Sequence, residues 1–545
     1  MSPDPYDSLE RLSSPELIGL VRRLIGEVER LGEESGKLKA ALAASKLENQ
    51  QLKDEIRRLK GLPPRPPMKP SGMEKATDRP TPGEPGRPEG SSPRRRGPGV
   101  SKLSIDRTVT LAASAPAGSR YKGCEEVVVQ DVAFKPEVTL YRRERWTTPD
   151  GRTVTADLPA GVVGGCGPNL HRLVLTLHFQ GQMTCERIVA VLTGAGLAIS
   201  KRQIVRLLTA RLDLFRAEEE AVFTAGLRAS GFVSVDDTGA RHAGKACITT
   251  QFGSDRFTVF RTGPSKSRLA FLRNLLGGTA RYAINAAAQA YMRAANLAHG
   301  VIDALKSADV LPFDSEAGWA AHLAALGLTA LRVTPNAVRA ASEGALWGAI
   351  IAEDRLANSV ILSDDAGQFR VGEHALCWVH AERLVHKLVP ANDRQSSAIE
   401  VTRRMIWWFY RQLKAFKADP SPARAVELRA RFDRIFKRRT RYATLDRLLK
   451  RLLANKDELL RVLERPKIPL NTNGSENDIR VVVTKRKISG GTVSEKGRTA
   501  RDVMLGLAKT CAKIKVSFFH YLGDRLGIEG ENVPPLATLI AQAPS

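Results

Sequence analysis

The sequence lacks the marks of several protein classes. No run of about 18 apolar residues occurs anywhere in its 545 residues, so no membrane-spanning helix is expected. The opening MSPDPYDSLERL has no basic segment leading into an apolar one, the pattern of a secretion signal. Only six cysteines occur, Cys124, Cys166, Cys185, Cys247, Cys377 and Cys511, and no two form a Cys-x-x-Cys pair. Such spacing speaks against a disulfide scaffold and a four-cysteine zinc site, and it fits a reducing compartment. Acid is scarce relative to base: 58 Asp and Glu stand against 84 Lys and Arg, a net charge of +26. A chain this basic is expected to meet a polyanion, which points to a cytoplasmic, nucleoid-associated location. With 43% hydrophobic and 26% charged residues the chain can bury cores along most of its length, so uniform disorder is excluded.

What is present is ordered along the chain. In residues 1–60, Leu17, Leu24, Leu31, Leu38, Leu52 and Leu59 fall on one seven-residue grid. Val21, Val28, Leu42, Asn49 and Ile56 follow at the a positions, a pattern that predicts a parallel two-stranded coiled coil and hence a homodimer. Residues 61–100 hold eleven prolines and the run Arg94-Arg95-Arg96, and read as an extended basic linker. Residues 101–165 read as a small β-rich domain with strands in VTLAAS, EEVVVQDV and the two sides of a Pro149-Asp150-Gly151 turn. Residues 166–228 read as helical. Ser200 and Gln203 match a capping box there, and a helix, the turn GAGLAI and a second helix bearing Lys201, Arg202 and Arg206 predict a helix-turn-helix that reads DNA.

The chemistry-bearing signals lie in residues 229–527. GFVSVDDTGARH begins as a strand and runs into Asp236 and Asp237, and KACITTQFG and RFTVFRTG follow as two more strands. A second short apolar strand, NSVILS, ends in Asp364 and Asp365. Asn471-Thr-Asn-Gly-Ser-Glu476-Asn-Asp478 opens a helix. One acid at a strand end is an ordinary turn residue. Two acid-terminated strands followed by a third acid suit an α/β RNase H-like core, because clustered carboxylates repel unless a hard cation takes their oxygens. Asp364 and Glu476 are 476 − 364 = 112 residues apart, too many for a minimal core, and an all-α insertion is expected at about 390–470. Residues 528–545 form a C-terminal tail.

These motifs carry a resemblance. VDDTGARH, SDDAGQF with its aromatic five residues after Asp364, Cys377-Trp378-Val379-His380, NTNGSENDIR and the stretch GTVSEKGRTARDVMLGLAKTCAKIKVSFFHYLGDRL together resemble the large transposases of the insertion-sequence 66 family, a branch of the DDE transposases. The resemblance implies that Asp236, Asp364 and Glu476 are catalytic and hold two Mg²⁺ or Mn²⁺ ions. The reaction it implies is cleavage at transposon ends followed by strand transfer into target DNA, with double-stranded DNA and accessory transposition proteins as partners. Asp237, His242, Asp365, Cys377 and His380 stand near these acids in sequence as supporting groups, with Asp364 preferred to Asp365. Many family members carry a cysteine-paired zinc module after the coil. This chain has only Cys124 in that region, so no structural zinc is expected. Cys377, His380, His374 and His386 admit a zinc reading, but core packing for Cys377 and an active-site position for His380 is favoured.

Basic stretches mark DNA contacts. Residues 431–467 hold thirteen Lys and Arg against five acids, and residues 478–501 hold seven against two, with Arg480, Lys485, Arg486 and Lys487 close after Glu476. Trp407-Trp408-Phe409-Tyr410 reads as core of the insertion. The rival readings are a non-catalytic zipper-type DNA-binding regulator and a nuclease on the same fold.

Overall fold

The computed structural model describes residues 104–542 apart from 115, 117, 118, 123, 133, 308–311 and 357–358, together with seven positions between 19 and 34. The zipper heptads, those positions aside, and the linker at 61–100 therefore lie outside the described residues. The chain divides into two units, Met1–Asp131 and Val132–Ser545. In the first unit the described part of 104–131 is exposed and contains neither helix nor strand. The strands expected in VTLAAS and EEVVVQDV do not form. Apolar alternation is a local property of the chain, whereas a strand also depends on its tertiary context.

In the second unit the Pro149-Asp150-Gly151 turn joins β1 (Arg145–Thr147) to β2 (Thr153–Thr155) as an antiparallel hairpin. This hairpin is the only strand pair formed in 101–165 among the described residues. Four helices follow: α1 (Pro168–Leu175), α2 (Cys185–Gly194), α3 (Lys201–Thr209) and α4 (Leu212–Ala229). The turn after α2 uses Gly196 at φ +89°, a left-handed conformation that favours glycine. Ser200 and Gln203 form the expected capping box: Gln203 N–H donates to Ser200 Oγ at 3.3 Å, and Ser200 N–H donates to Gln203 Oε1 at 2.9 Å. Ile204, Leu207 and Leu208 bury one face of α3 and leave Lys201, Arg202, Val205 and Arg206 exposed on the other.

The central sheet has five strands. β3 (Phe232–His242), β4 (Lys245–Gly253) and β5 (Thr258–Gly263) form an antiparallel meander. β6 (Val360–Ser363) pairs parallel with β3, and β7 (His374–Leu376) pairs parallel with β6, giving the order β5-β4-β3-β6-β7. Between β5 and β6 run α5 (Arg268–Leu275), α6 (Ala286–Ala294), α7 (His299–Ser307), α8 (Glu316–Ala325) and α9 (Ala337–Ala352).

After β7 the chain is helical: α10 (Trp378–His386), α11 (Asp393–Ala418), α12 (Pro422–Phe436), α13 (Ala443–Ala454) and the short α14 (Lys456–Leu459). These helices enclose a hydrophobic core of their own around Trp378, Phe409, Phe432 and Phe436. Each such side chain contributes about 1.5–3 kcal/mol on burial. Phe409 and Tyr410 are buried in it, in keeping with the core reading of the aromatic patch. The chain then returns through α15 (Asn473–Ser489), α16 (Glu495–Lys513), α17 (Phe518–Arg525) and α18 (Leu536–Gln542).

Alternation along β4 shows how the sheet is covered. Phe252 packs against Phe223 of α4 and Phe271 of α5, whereas its neighbour Gln251 reaches Asp478 of α15 on the opposite face. The two hydrophobic cores divide β6 in the same way. Ile361 joins the main core, and Val360 and Leu362 join the core of the insertion.

Candidate functional site

Strand register brings two of the acids together. The parallel pairing joins Phe232 to Val360 and Ser234 to Leu362. Continued by two residues, the same offset sets Asp236 beside Asp364. Asp236 also lies opposite Gln251, which puts it on the α15 face, while Asp237 lies opposite Thr250 on the other. Asp237 is occupied there: it accepts from Thr250 Oγ1 at 2.6 Å and from Gln368 Nε2 at 3.0 Å. Asp365 is likewise taken, paired with Arg451 and lying 3.9 Å from Arg370. Asp364 instead closes a tight turn, accepting from Ala366 N–H at 3.1 Å.

Burial pushes the Asp236 carboxyl up to about 6; the Asp237 N–H donated to it opposes this, and the charge of Asp364 adds to it.

The third acid arrives on the first turn of α15. Trp378 N–H donates to Leu470 O at 3.0 Å, and Thr472 N–H donates to Cys377 Sγ at 3.3 Å, so the starts of α10 and α15 are stitched together. Glu476 thereby lies beside α10, with Oε1 3.8 Å from His380 Nε2 and 3.7 Å from Arg383 Nη2. That oxygen is buried and has no hydrogen-bond partner. Asp478, two residues on, is the other acid of the motif and is fully engaged. It accepts from Thr258 Oγ1 at 2.7 Å and from Lys513 Nζ at 2.5 Å.

Cys377 is buried at the start of α10, and Trp378 donates its indole N–H to Leu459 O at 2.8 Å within the insertion core. Burial alone would raise the Cys377 thiol, but hydrogen bonds with His380 and Thr472 outweigh it and draw the thiol below its ordinary value. The same Cys377 contact raises His380. His374 is buried and bonded to Ser363 Oγ at 2.8 Å and Glu458 Oε1 at 3.0 Å.

The donor set suits a hard divalent cation, being three carboxylates of which Asp236 holds its proton up to about pH 6 and Glu476 keeps an unpartnered buried oxygen. As they stand, the three do not converge: among the described residues no three His, Cys, Asp or Glu side chains share one point at metal-binding range.

Two expectations need correction. β3 does not end at its acids but continues through them to His242, six residues past Asp236. At about 3.3 Å per residue this places His242 roughly 20 Å from the acids. There it binds Thr492 Oγ1 at 2.9 Å and Glu495 Oε1 at 2.8 Å, anchoring the loop before α16. Lys485 is not a surface contact. It is 4% exposed and donates to His178 O at 2.9 Å and Met183 O at 3.1 Å, because its helical position points into the body. Burial pulls its ammonium down to about 8. Arg480 and Lys487 lie on the exposed face of α15 with Asn473 and Asn477, whereas Arg486 is half-buried against Gly239.

Sequence reasoning missed Arg383, Thr472 and Gln368. Arg383 was legible in principle, three residues after His380 and so on the same helix face.

The cleft beside Asp364 is lined by Arg383, Lys387 and Arg451. Comparison with known families supplies the class to which this basic, acid-bearing body belongs: the DNA-processing proteins that move genetic elements. The family described as Transposase IS66 family matches residues 357–500, the stretch that holds Asp364, Cys377, His380 and Glu476. The chain belongs to the IS66 transposase family. It is also 51% identical over 317 residues to the uncharacterized protein y4jO of Sinorhizobium fredii (strain NBRC 101917 / NGR234), covering 58% of this chain and 98% of that protein. A transposase acts on DNA, which is the partner the family implies. Among the described residues no helix is long and apolar enough to cross a membrane.

Proposed function

We propose that this protein is a DDE transposase that cuts DNA at transposon ends and joins the released 3′-hydroxyl to target DNA. The observation that carries the reading is the register that sets Asp236 beside Asp364 on adjoining parallel strands, on the face of the sheet against which α15 packs through Asp478. The sheet order, a three-stranded meander extended by two parallel strands, supports an RNase H-like core. Two divalent cations, Mg²⁺ or Mn²⁺, held by Asp236, Asp364 and Glu476 would activate the attacking water or 3′-hydroxyl and stabilise the leaving oxygen.

The chain's own groups do the rest. His380 and Arg383 flank Glu476 and set where its carboxylate rests. Arg383, Lys387 and Arg451 face the phosphates of a strand laid past Asp364. The exposed face of α15, through Arg480 and Lys487, extends that track, and α3 presents Lys201, Arg202 and Arg206 to the duplex. A coil formed by residues 1–60 would pair two copies and so hold two ends together.

The test uses purified protein and labelled duplexes that carry the repeats flanking the coding sequence, with Mg²⁺, Mn²⁺ or chelator. Metal-dependent cleavage and joined product are expected, and both are lost in Asp364→Asn and Glu476→Gln. Unchanged cleavage in Asp364→Asn overturns the site. Cleavage without joining reassigns the protein as a nuclease.

A further inference from the structure

We propose that the cleft between the end of β6 and helices α10 and α13 receives a single extruded nucleotide of the DNA, next to the phosphodiester that is cut. This rests on the transposase reading. The cleft opens beside Asp364 and has a volume of about 260 Å³. Its inner wall is apolar, with Leu376 and Leu452 buried and Leu384 half-buried. Its outer edge carries three cations beside two carboxylates, Asp364 and Asp365, with Arg451 paired to Asp365 and Lys387 the cation most open to a phosphate. Lys387 is exposed there, and the side chains of Arg383 and Arg451 are 43% and 56% exposed.

An apolar wall under an edge with an open cation selects a flat group that carries phosphate. Pockets for drug-sized ligands begin at about 300 Å³, so this one suits something smaller, the size of one base. A phosphate backbone alone would meet the cations but leave the apolar wall against water. A base within the duplex cannot reach the wall, because both its faces are stacked. Extruding it costs a few kcal/mol, which apolar burial and the paired phosphates offset. Cys377 and His380 also line the cleft and bring polar atoms to it near Asp364.

The experiment places 2-aminopurine singly at each nucleotide flanking the cleaved bond, in the same end duplex, and follows its fluorescence with the full chain. Binding is read in parallel by anisotropy and cleavage on gels. One position is expected to brighten severalfold on binding, as its base leaves the stack. Ala381→Leu, which pushes a side chain into the cleft, is expected to abolish the brightening while anisotropy still reports binding. Lys387→Ala, at the exposed edge where the fold is not at risk, is expected to reduce it. If the wild type binds and cuts DNA while every position stays as dark as in free duplex, the pocket is overturned and the transposase reading stands. Equal brightening in wild type and a folded Ala381→Leu overturns it too, since the base then goes elsewhere. If DNA is neither bound nor cut, the reading beneath fails, and the pocket falls with it.

Discussion

Two acids of one motif, Glu476 and Asp478, should respond oppositely to removal. Asp478 is 3% exposed and holds Lys513 Nζ at 2.5 Å, Thr258 Oγ1 at 2.7 Å and Gln251 Nε2 at 3.3 Å. Removing one partner of a buried ion pair costs about 3–5 kcal/mol, because the other charge stays buried. Lys513 would keep two carbonyls, Ser254 O at 2.6 Å and Phe257 O at 2.9 Å, which places Asp478→Ala at the lower end of that range. Glu476 makes no hydrogen bond at Oε1 and approaches Arg383 and His380 only to 3.7 and 3.8 Å, with its side chain 27% exposed. Glu476→Gln is therefore expected to change stability by no more than about 1 kcal/mol. With a urea slope of about 1–3 kcal/mol per molar, Asp478→Ala should lower the denaturation midpoint by roughly 1 M or more. Glu476→Gln should leave the midpoint near wild type. End cleavage should vanish in Glu476→Gln and persist in Asp478→Asn at temperatures where that variant is folded. A fully stable Asp478→Ala, or a fully stable Asp478→Asn without cleavage, refutes the division of labour between the two acids.

Other expectations follow from the same geometry. Asp365→Asn loses its pairing with the exposed Arg451 and should cost at most about 1 kcal/mol while keeping metal-dependent cleavage, whereas Asp364→Asn should keep its stability and lose cleavage. Denaturation and gel assays on the pair separate the two roles. Burial holds the Lys485 ammonium at about 8 against an ordinary 10.5, so between those values the unfolded chain binds more protons than the folded one. This group's contribution to stability should rise as pH climbs from about 8 to 10.5, and Lys485→Met should remove that slope in thermal melts. On α3, Arg202→Ala should weaken DNA binding and reduce the slope of log K against log salt by about one. Lys201→Ala should do less in the same titration, because Lys201 already pairs with Glu186 at 2.5 Å.

Much of the local structure was readable in the sequence. The Pro149-Asp150-Gly151 hairpin, the Ser200–Gln203 capping box and the helical run between Asp364 and Glu476 each follow from near-neighbour chemistry: a turn residue, a cap, a period of 3.6. The order of the acid-bearing motifs was readable for the same reason. Tertiary structure alone decided which acid of each pair faces which way. Asp236 and Asp237 differ by one residue, yet alternation sends one toward α15 and the other toward Thr250 and Gln368. Asp365 is claimed by Arg451, 86 residues on, and Asp478 by Thr258 and Lys513 on other elements. Lys485 looked like a phosphate contact because charge is visible in a sequence and burial is not. His242 looked close to the acids because six residues is a short separation, but in a strand it is a long distance. No strand forms at 109–114 or 125–132 for a related reason: alternation is written in the sequence, but whether it becomes a strand is decided by tertiary context.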